Sequence, residues 1–156
     1  MIDTIILIGM AGVGKSSIGK AVAKKINYRF IDIDTSISQQ FNKPLRDVIQ
    51  EKGIDEFIKI EAEIVLKNIK KNTIIAPGGS LIYSFKKIYN QLNTTTIIYL
   101  KDTIANIKNR IPNLESRGII GLENKTIKDI FNEREPLYTK YSDLTFDLSQ
   151  NYDDEN

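Results

Sequence analysis

The sequence predicts an α/β fold: a parallel sheet of five strands between layers of helix, a three-layer α/β/α arrangement. Short apolar runs rich in β-branched residues alternate with longer stretches of helical period, the pattern of successive βαβ units. The first run leads straight into "GMAGVGKSS" (9–17), and the third is stopped by "PGG" (77–79). Crossovers between parallel strands are right-handed, and ligands bind beyond the carboxyl ends of the strands, which is where these glycines fall.

Each element follows from local pattern. "TIILIG" (4–9) reads as a buried parallel strand ending in glycine. "KSSIGKAVAKKI" places Ile18, Val22 and Ile26 four residues apart, which predicts one apolar helix face. "YRFIDI" (28–33) is a second strand, followed by helices over 35–42, 45–52 and, after Gly53, 54–71. "NTIIAPGG" (72–79) is a strand that the proline ends, because proline cannot continue a central ladder. A helix over 84–92, a strand over 95–100 and a helix over 103–110 come next. "IPNLESRGIIGLENK" (111–125) has no clean period and reads as a loop; a helix over 126–141 and the strand "LTFDL" (144–148) complete a single domain, 1–148, before a polar tail, 149–156. No closing helix is expected after that strand, because "SQNYDDEN" is too polar to supply one.

Composition narrows the chemistry. At 156 residues, with 41% hydrophobic and 27% charged residues, the chain is an ordinary globular domain with room for one site. Cysteine and histidine are both absent, so no disulfide, thiolate metal site, cysteine nucleophile or imidazole base is available. Carboxylates, lysine, arginine, hydroxyls and backbone amides must do the work. The net charge of +2 and the scattered lysines do not describe a nucleic-acid binder. The opening apolar run is far shorter than the ~20 residues that span a bilayer. A cytoplasmic monomer with no nucleic-acid or membrane partner is the expectation.

Gly9, Gly14, Lys15 and Ser16 satisfy G-x-x-x-x-G-K-[ST], the phosphate-binding loop, between a strand and a helix as its geometry requires. Glycines let successive N–H groups converge on one hollow, and the helix behind presents its positive end to an anion. Lys15 reaches phosphates as a point charge, and the Ser16 hydroxyl is a ligand for Mg²⁺. Such loops serve switch GTPases, motor ATPases and kinases alike. A guanine-reading Asn-Lys-x-Asp is missing, since "ENKT" (123–126) ends in threonine, and at this size a small-molecule or nucleotide kinase is the class that fits. A nucleotide kinase would need a larger insertion than 35–71 offers.

"FIDID" (30–34) places Asp32 and Asp34 at the end of the second strand, where alternation turns both to one side. Two like charges so close call for a cation or a substrate hydroxyl between them. The alternative is that Asp34 caps a helix starting at 35 and Asp32 is solvated.

With these residues the chain resembles the shikimate kinase family of P-loop kinases. The resemblance runs from residue 4 to about 148 and rests on "GMAGVGKSS", "FIDID", Phe57 and Glu61 as F-x-x-x-E, "APGGS" (76–80), Arg110, Arg117 in a lid-like loop, and "NEREPLY" (132–138). It implies the P-loop kinase fold with a mobile lid over about 111–125, acceptor-binding helices over about 34–71, and ATP with Mg²⁺ acting on a small hydroxylated substrate. It also implies roles. Gly12, Val13, Gly14, Lys15, Ser16 and Ser17 hold the nucleotide phosphates, Ser16 and Asp32 surround Mg²⁺, and Asp34 orients the substrate hydroxyl or takes its proton. Gly79 lets the backbone approach the substrate, Arg134 pairs with a substrate carboxylate, Arg117 closes over the phosphates, and Arg110 lies near the adenine. Lys15, Asp34 and Arg117 are then the catalytic set. Two arginines keep a second reading from the residues alone: Arg110 as a helix-end residue, and Arg134 as a surface ion pair with Glu133 or Glu135. Tyr138 and Tyr141 read as packing residues.

The chain departs from the family's pattern at the acceptor side. The family has Phe-Arg-x-x-Glu where this chain has "FIKIE", with Ile58 in the arginine's place, and three glycines where this chain has Gly78, Gly79 and Ser80. Lys59 is rotated about 100° away on a helix. Either another cation, such as Lys43 or Arg46, completes a carboxylate clamp for shikimate, or a different small hydroxylated metabolite is the acceptor. A nucleotide-binding regulatory module is the reading from another class.

Overall fold

The computed structural model describes residues 4–111 and 118–150. Five strands, β1 (Thr4–Ile8), β2 (Arg29–Asp32), β3 (Thr73–Ala76), β4 (Thr95–Lys101) and β5 (Leu144–Asp147), form one parallel sheet in the order β2-β3-β1-β4-β5. The helices are α1 (Lys15–Ile26), α2 (Ile33–Phe41), α3 (Leu45–Lys52), α4 (Ile54–Lys67), α5 (Phe85–Ile88), α6 (Ile104–Arg110) and α7 (Ile127–Tyr141). β1 lies between β3 and β4, so the chain's first turn opens at the switch point of the sheet, where a crevice forms in parallel α/β folds.

Alternation along the strands builds two cores. Ile6, Ile8, Ile75, Ile97 and Tyr99 face one side, under α2, α3, α4, α5 and α7. Leu7, Ile74 and Leu100 face the other, where α1 is the covering helix among the described residues. β5 is an edge strand, and Leu144 and Phe146 stay 57% and 50% exposed.

Several elements depart from the sequence expectation for physical reasons. The buried face of α1 is Lys15, Gly19 and Ala23, whereas Val22 and Ile26 are 40% and 44% exposed. A Cβ on Gly19 would stand 2.7 Å from Phe30 and 2.9 Å from Leu7, so the helix lies too close to the sheet for branched residues on that face. β2 ends at Asp32 and α2 begins at Ile33; Asp32 is the N-cap, accepting from the Thr35 N–H at 3.0 Å. Asp34 therefore stands in the first helical turn, not in the strand, and it is Asp32 that caps. α4 stops at Lys67 rather than 71, and the helix expected over 84–92 is a 3₁₀ turn (Gly79–Ser84), the single turn of α5 and a second 3₁₀ turn (Tyr89–Gln91). "ENKT" leads into a helix start, where Thr126 caps α7 in a reciprocal box with Asp129.

Gly9 is the tightest point of the β1 exit. Its φ is +145°, and a Cβ there would sit 2.5 Å from the Leu100 carbonyl oxygen, a backbone atom that cannot swing aside. Gly9→Ala is expected to destabilise the fold by about 1–3 kcal/mol, read as a lower urea midpoint at unchanged m-value.

Candidate functional site

The loop between β1 and α1 is shaped by its glycines. Gly12 and Gly14 take φ of +81° and +108°, conformations that L-residues with a Cβ adopt only under strain. Ile111 stands directly over Gly12, its side chain 2.4 Å from where a Cβ would be, and is itself buried. The start of the 111–125 segment is thereby pressed onto the glycine loop.

Lys15 lies on the buried face of α1 and donates to the carbonyl oxygens of Gly9 at 2.7 Å and Met10 at 2.9 Å. Burial lowers its pKa to about 8, against a pull upward from Asp34, Glu61 and Asp32. Ser16 donates its hydroxyl to Asp32 Oδ2, so the two residues expected around Mg²⁺ are already side by side. A hydroxyl and a carboxylate oxygen are hard donors of the kind Mg²⁺ takes, with its remaining positions left to water and phosphate. The pair fits the ion.

These groups open on one cavity of about 400 Å³ lined by Gly12, Gly14, Lys15, Ser16, Ser17, Asp32, Asp34, Gly78, Gly79 and Arg110. Residues from the ends of β1, β2 and β3 meet there with one from α6. Val13 does not line it: its side chain is buried with Leu7 and Leu100, and its N–H donates to the Met10 carbonyl at 3.2 Å. Arg110 is half-exposed, 2.7 Å from Asp102, and donates to the Val13 carbonyl at 3.4 Å. Burial alone would raise the Asp102 pKa, but hydrogen bonds from Asn106, the Thr103 N–H and Arg110 bring it below the usual value. Helix-end and cavity-lining roles thus coexist at Arg110. Arg117 and the middle of the lid-like segment lie outside the described residues.

Arg134 is not a surface residue. It is 1% exposed, its Nη2 donates to the Ile120 carbonyl at 2.8 Å, its Nε donates to the Tyr83 hydroxyl at 3.2 Å, and its guanidinium lies over the Tyr83 ring. Tyr83 passes a hydrogen bond on to Glu133, which pairs with Lys125. The flanking acids therefore do not neutralise Arg134: Glu133 goes to Lys125, and Glu135 to Lys101. A Cβ on Gly79 would fall 2.8 Å from Arg134 Nη1 and 3.1 Å from the Tyr138 hydroxyl, so a side chain there would have to displace the guanidinium. Tyr138 is more than packing, since its hydroxyl donates to the Gly79 carbonyl at 2.8 Å and holds that turn.

Sequence reasoning passed over Tyr83 and gave Glu61 no role. Glu61 is 0% exposed, with Ser80 donating to its Oε2 at 2.7 Å and no partner for its Oε1 among the described residues. A charged residue repeating with the apolar stripe of its helix, as Glu61 does with Phe57 and Ile64, was the available signal. Of the two candidate replacement cations, Lys43 pairs with Glu51, whereas Arg46 has no ion pair among the described residues; Lys59 pairs with Glu56 at 3.4 Å. No helix among the described residues is long and apolar enough to cross a membrane.

A family model described as shikimate kinase matches residues 11–155. The shikimate kinase of Bacillus subtilis is 38% identical over 147 residues, covering 88% of this chain and 76% of that protein. Among solved structures, the shikimate kinase of Aquifex aeolicus aligns with a TM-score of 0.77 at 26% identity, over 92% of this chain and 86% of that one. The Acinetobacter baumannii enzyme in complex with shikimate has the same fold, with a TM-score of 0.84 at 23% identity over 96% of this chain and 86% of that one.

Arg134 supplies charge-assisted hydrogen bonds to two partners inside the protein. Arg134→Met should cost about 1.5–3 kcal/mol of stability, measured by chemical denaturation, because both acceptors lose their donor.

Proposed function

The chain belongs to the shikimate kinase family, and on that basis we propose that it transfers the γ-phosphoryl group of ATP to a hydroxyl of shikimate. The observation that carries this reading is the cavity in which the glycine loop after β1 faces Asp34 and the Gly78–Gly79 turn. Loop amides and Lys15 hold the nucleotide phosphates there. Ser16 and Asp32 would hold Mg²⁺, which would supply positive charge to screen the phosphates. Asp34 receives the acceptor hydroxyl and orients it or takes its proton. A new O–P bond forms to that hydroxyl oxygen as the bond from the γ phosphorus to the ADP oxygen breaks in line, and the hydroxyl proton leaves through Asp34 to solvent. Arg134, buried and without a carboxylate partner among the described residues, is the site's cation for an acceptor carboxylate. Arg110 lies beside the nucleotide, and Arg117 closes over the phosphates, where added positive charge stabilises the transferring group. A monomer suffices for this chemistry.

One observation favours a second acceptor. Ile58 offers no charge and Lys43 is engaged by Glu51, so Arg46 is the remaining candidate for a second cation on the acceptor carboxylate. Without that second cation, a different small hydroxylated metabolite is the acceptor of this second reading.

ADP release should depend on an added acceptor, fastest with shikimate in a panel that includes other hydroxy acids, sugars and nucleosides. Nucleotide binding with no acceptor-dependent release would instead mark a regulatory module. Ile58→Arg should improve kcat/KM for shikimate by about tenfold, the value of one charge-assisted contact; a much larger gain, on shikimate alone, would place the native acceptor elsewhere.

A further inference from the structure

Among the described residues, Glu61 is the one buried carboxyl group of the acceptor side that the proposed reaction leaves without work. It comes from α4, and charged groups face it from three other helices: Lys15 from α1, Asp34 from α2 and Arg134 from α7. None of the cations is within ion-pair distance of it among the described residues, and the Ser80 hydroxyl is its one hydrogen-bond donor there. Its Oε1 lies 3.1 Å from the point a Cβ of Gly78 would occupy, and Asp34 Oδ1 lies 3.1 Å from the same point. Two carboxyl oxygens thus converge on the side-chain-free face of one glycine.

Two ionised carboxylates in that position would set acceptor against acceptor, one of them fully buried with a neutral partner. An uncompensated buried charge is far costlier than a buried neutral acid. The proton resolves both conflicts at once, since it removes the charge and turns Oε1 from an acceptor into a donor.

We propose that Glu61 is held as a neutral carboxylic acid whose Oε1–H is directed toward Asp34 across Gly78, and that it is the positioning residue that fixes the Asp34 carboxylate for the acceptor hydroxyl. Burial first and the neighbouring Asp34 charge second push the Glu61 pKa up to about 8, while Ser80, Arg134 and Lys15 pull it back. The proton is therefore present at neutral pH. The positioning half rests on the reading of Asp34 given above; the proton does not.

Infrared spectra of the wild-type protein at pH 7, without nucleotide or acceptor, test the proton directly. A carbonyl band of a protonated carboxylic acid is expected that shifts under isotopic labelling of glutamate carboxyl groups and vanishes in Glu61→Gln. Absence of such a band overturns the proposal. Stability gives a second reading: between pH 4.5 and about 8 the unfolded chain has lost the Glu61 proton and the folded chain keeps it, so wild type loses stability as pH rises through that window. Glu61→Gln lacks this dependence, and its melting temperature should climb relative to wild type from pH 5 to pH 8; a constant difference would count against the proton. For positioning, Glu61→Ala should lower kcat by about tenfold to hundredfold, and Glu61→Gln, which keeps a donor, should recover most of it. Equal losses in the two variants overturn the positioning role. Because the spectra and melting curves need no ligand, failure of the proton and failure of the acceptor reading are told apart.

Discussion

The contact on which the site depends is the buried ammonium of Lys15 against the carbonyl oxygens of Gly9 and Met10. A cation on the inner face of a helix is costly to bury, and the acceptors it holds are those of the strand exit it came from. Holding them fixes the first residue of α1 to the two residues that follow β1, and the segment between must fold as a loop. Gly9 is wedged under Leu100, Gly12 is capped by Ile111, and Gly19 lets the helix lie flat on Leu7 and Phe30. One ion–dipole contact and three absent side chains thus set where the hollow opens and how the helix axis points.

Much of this was legible from the residues. The strands were, because a parallel sheet buried on both faces leaves long β-branched runs that no other element tolerates. The loop motif was, because only one backbone shape needs glycines at that spacing. What escaped depends on contacts across the fold. Ile18, Val22 and Ile26 make a good helical stripe, and Ile18 does pack partly against the sheet, but Val22 and Ile26 stay exposed while Gly19 and Ala23 are buried, since closeness of approach outweighed hydrophobicity. Asp34 reads as a strand residue until Asp32 is seen to cap α2 and end the strand early. Arg134 among two glutamates looks like a surface charge, and only the partners of Glu133 and Glu135 show that both acids are spent on lysines.

The two halves of the cavity differ in how they handle charge. On the nucleotide side, charged groups are matched: Lys15 by carbonyls, Asp32 by Ser16 and the Thr35 N–H, Arg110 by Asp102. On the acceptor side the matching is incomplete, with a guanidinium lacking a carboxylate and a carboxyl lacking a cation, among the described residues. The two are not within ion-pair distance: Arg134, from α7, stands against Gly79, and Glu61, from α4, stands against Gly78. Ser80, one of the departures from the family pattern, is the donor to that carboxyl, so this departure and the incomplete matching meet at Glu61.

Ile111 and the Ile120 carbonyl are the two fixed ends of a span, one pressed onto Gly12 and the other gripped by Arg134. A change at Ile111 is therefore transmitted to the glycine loop through Gly12, and a shift of the Ile120 carbonyl is transmitted to the acceptor side through Arg134, although neither residue belongs to the sheet.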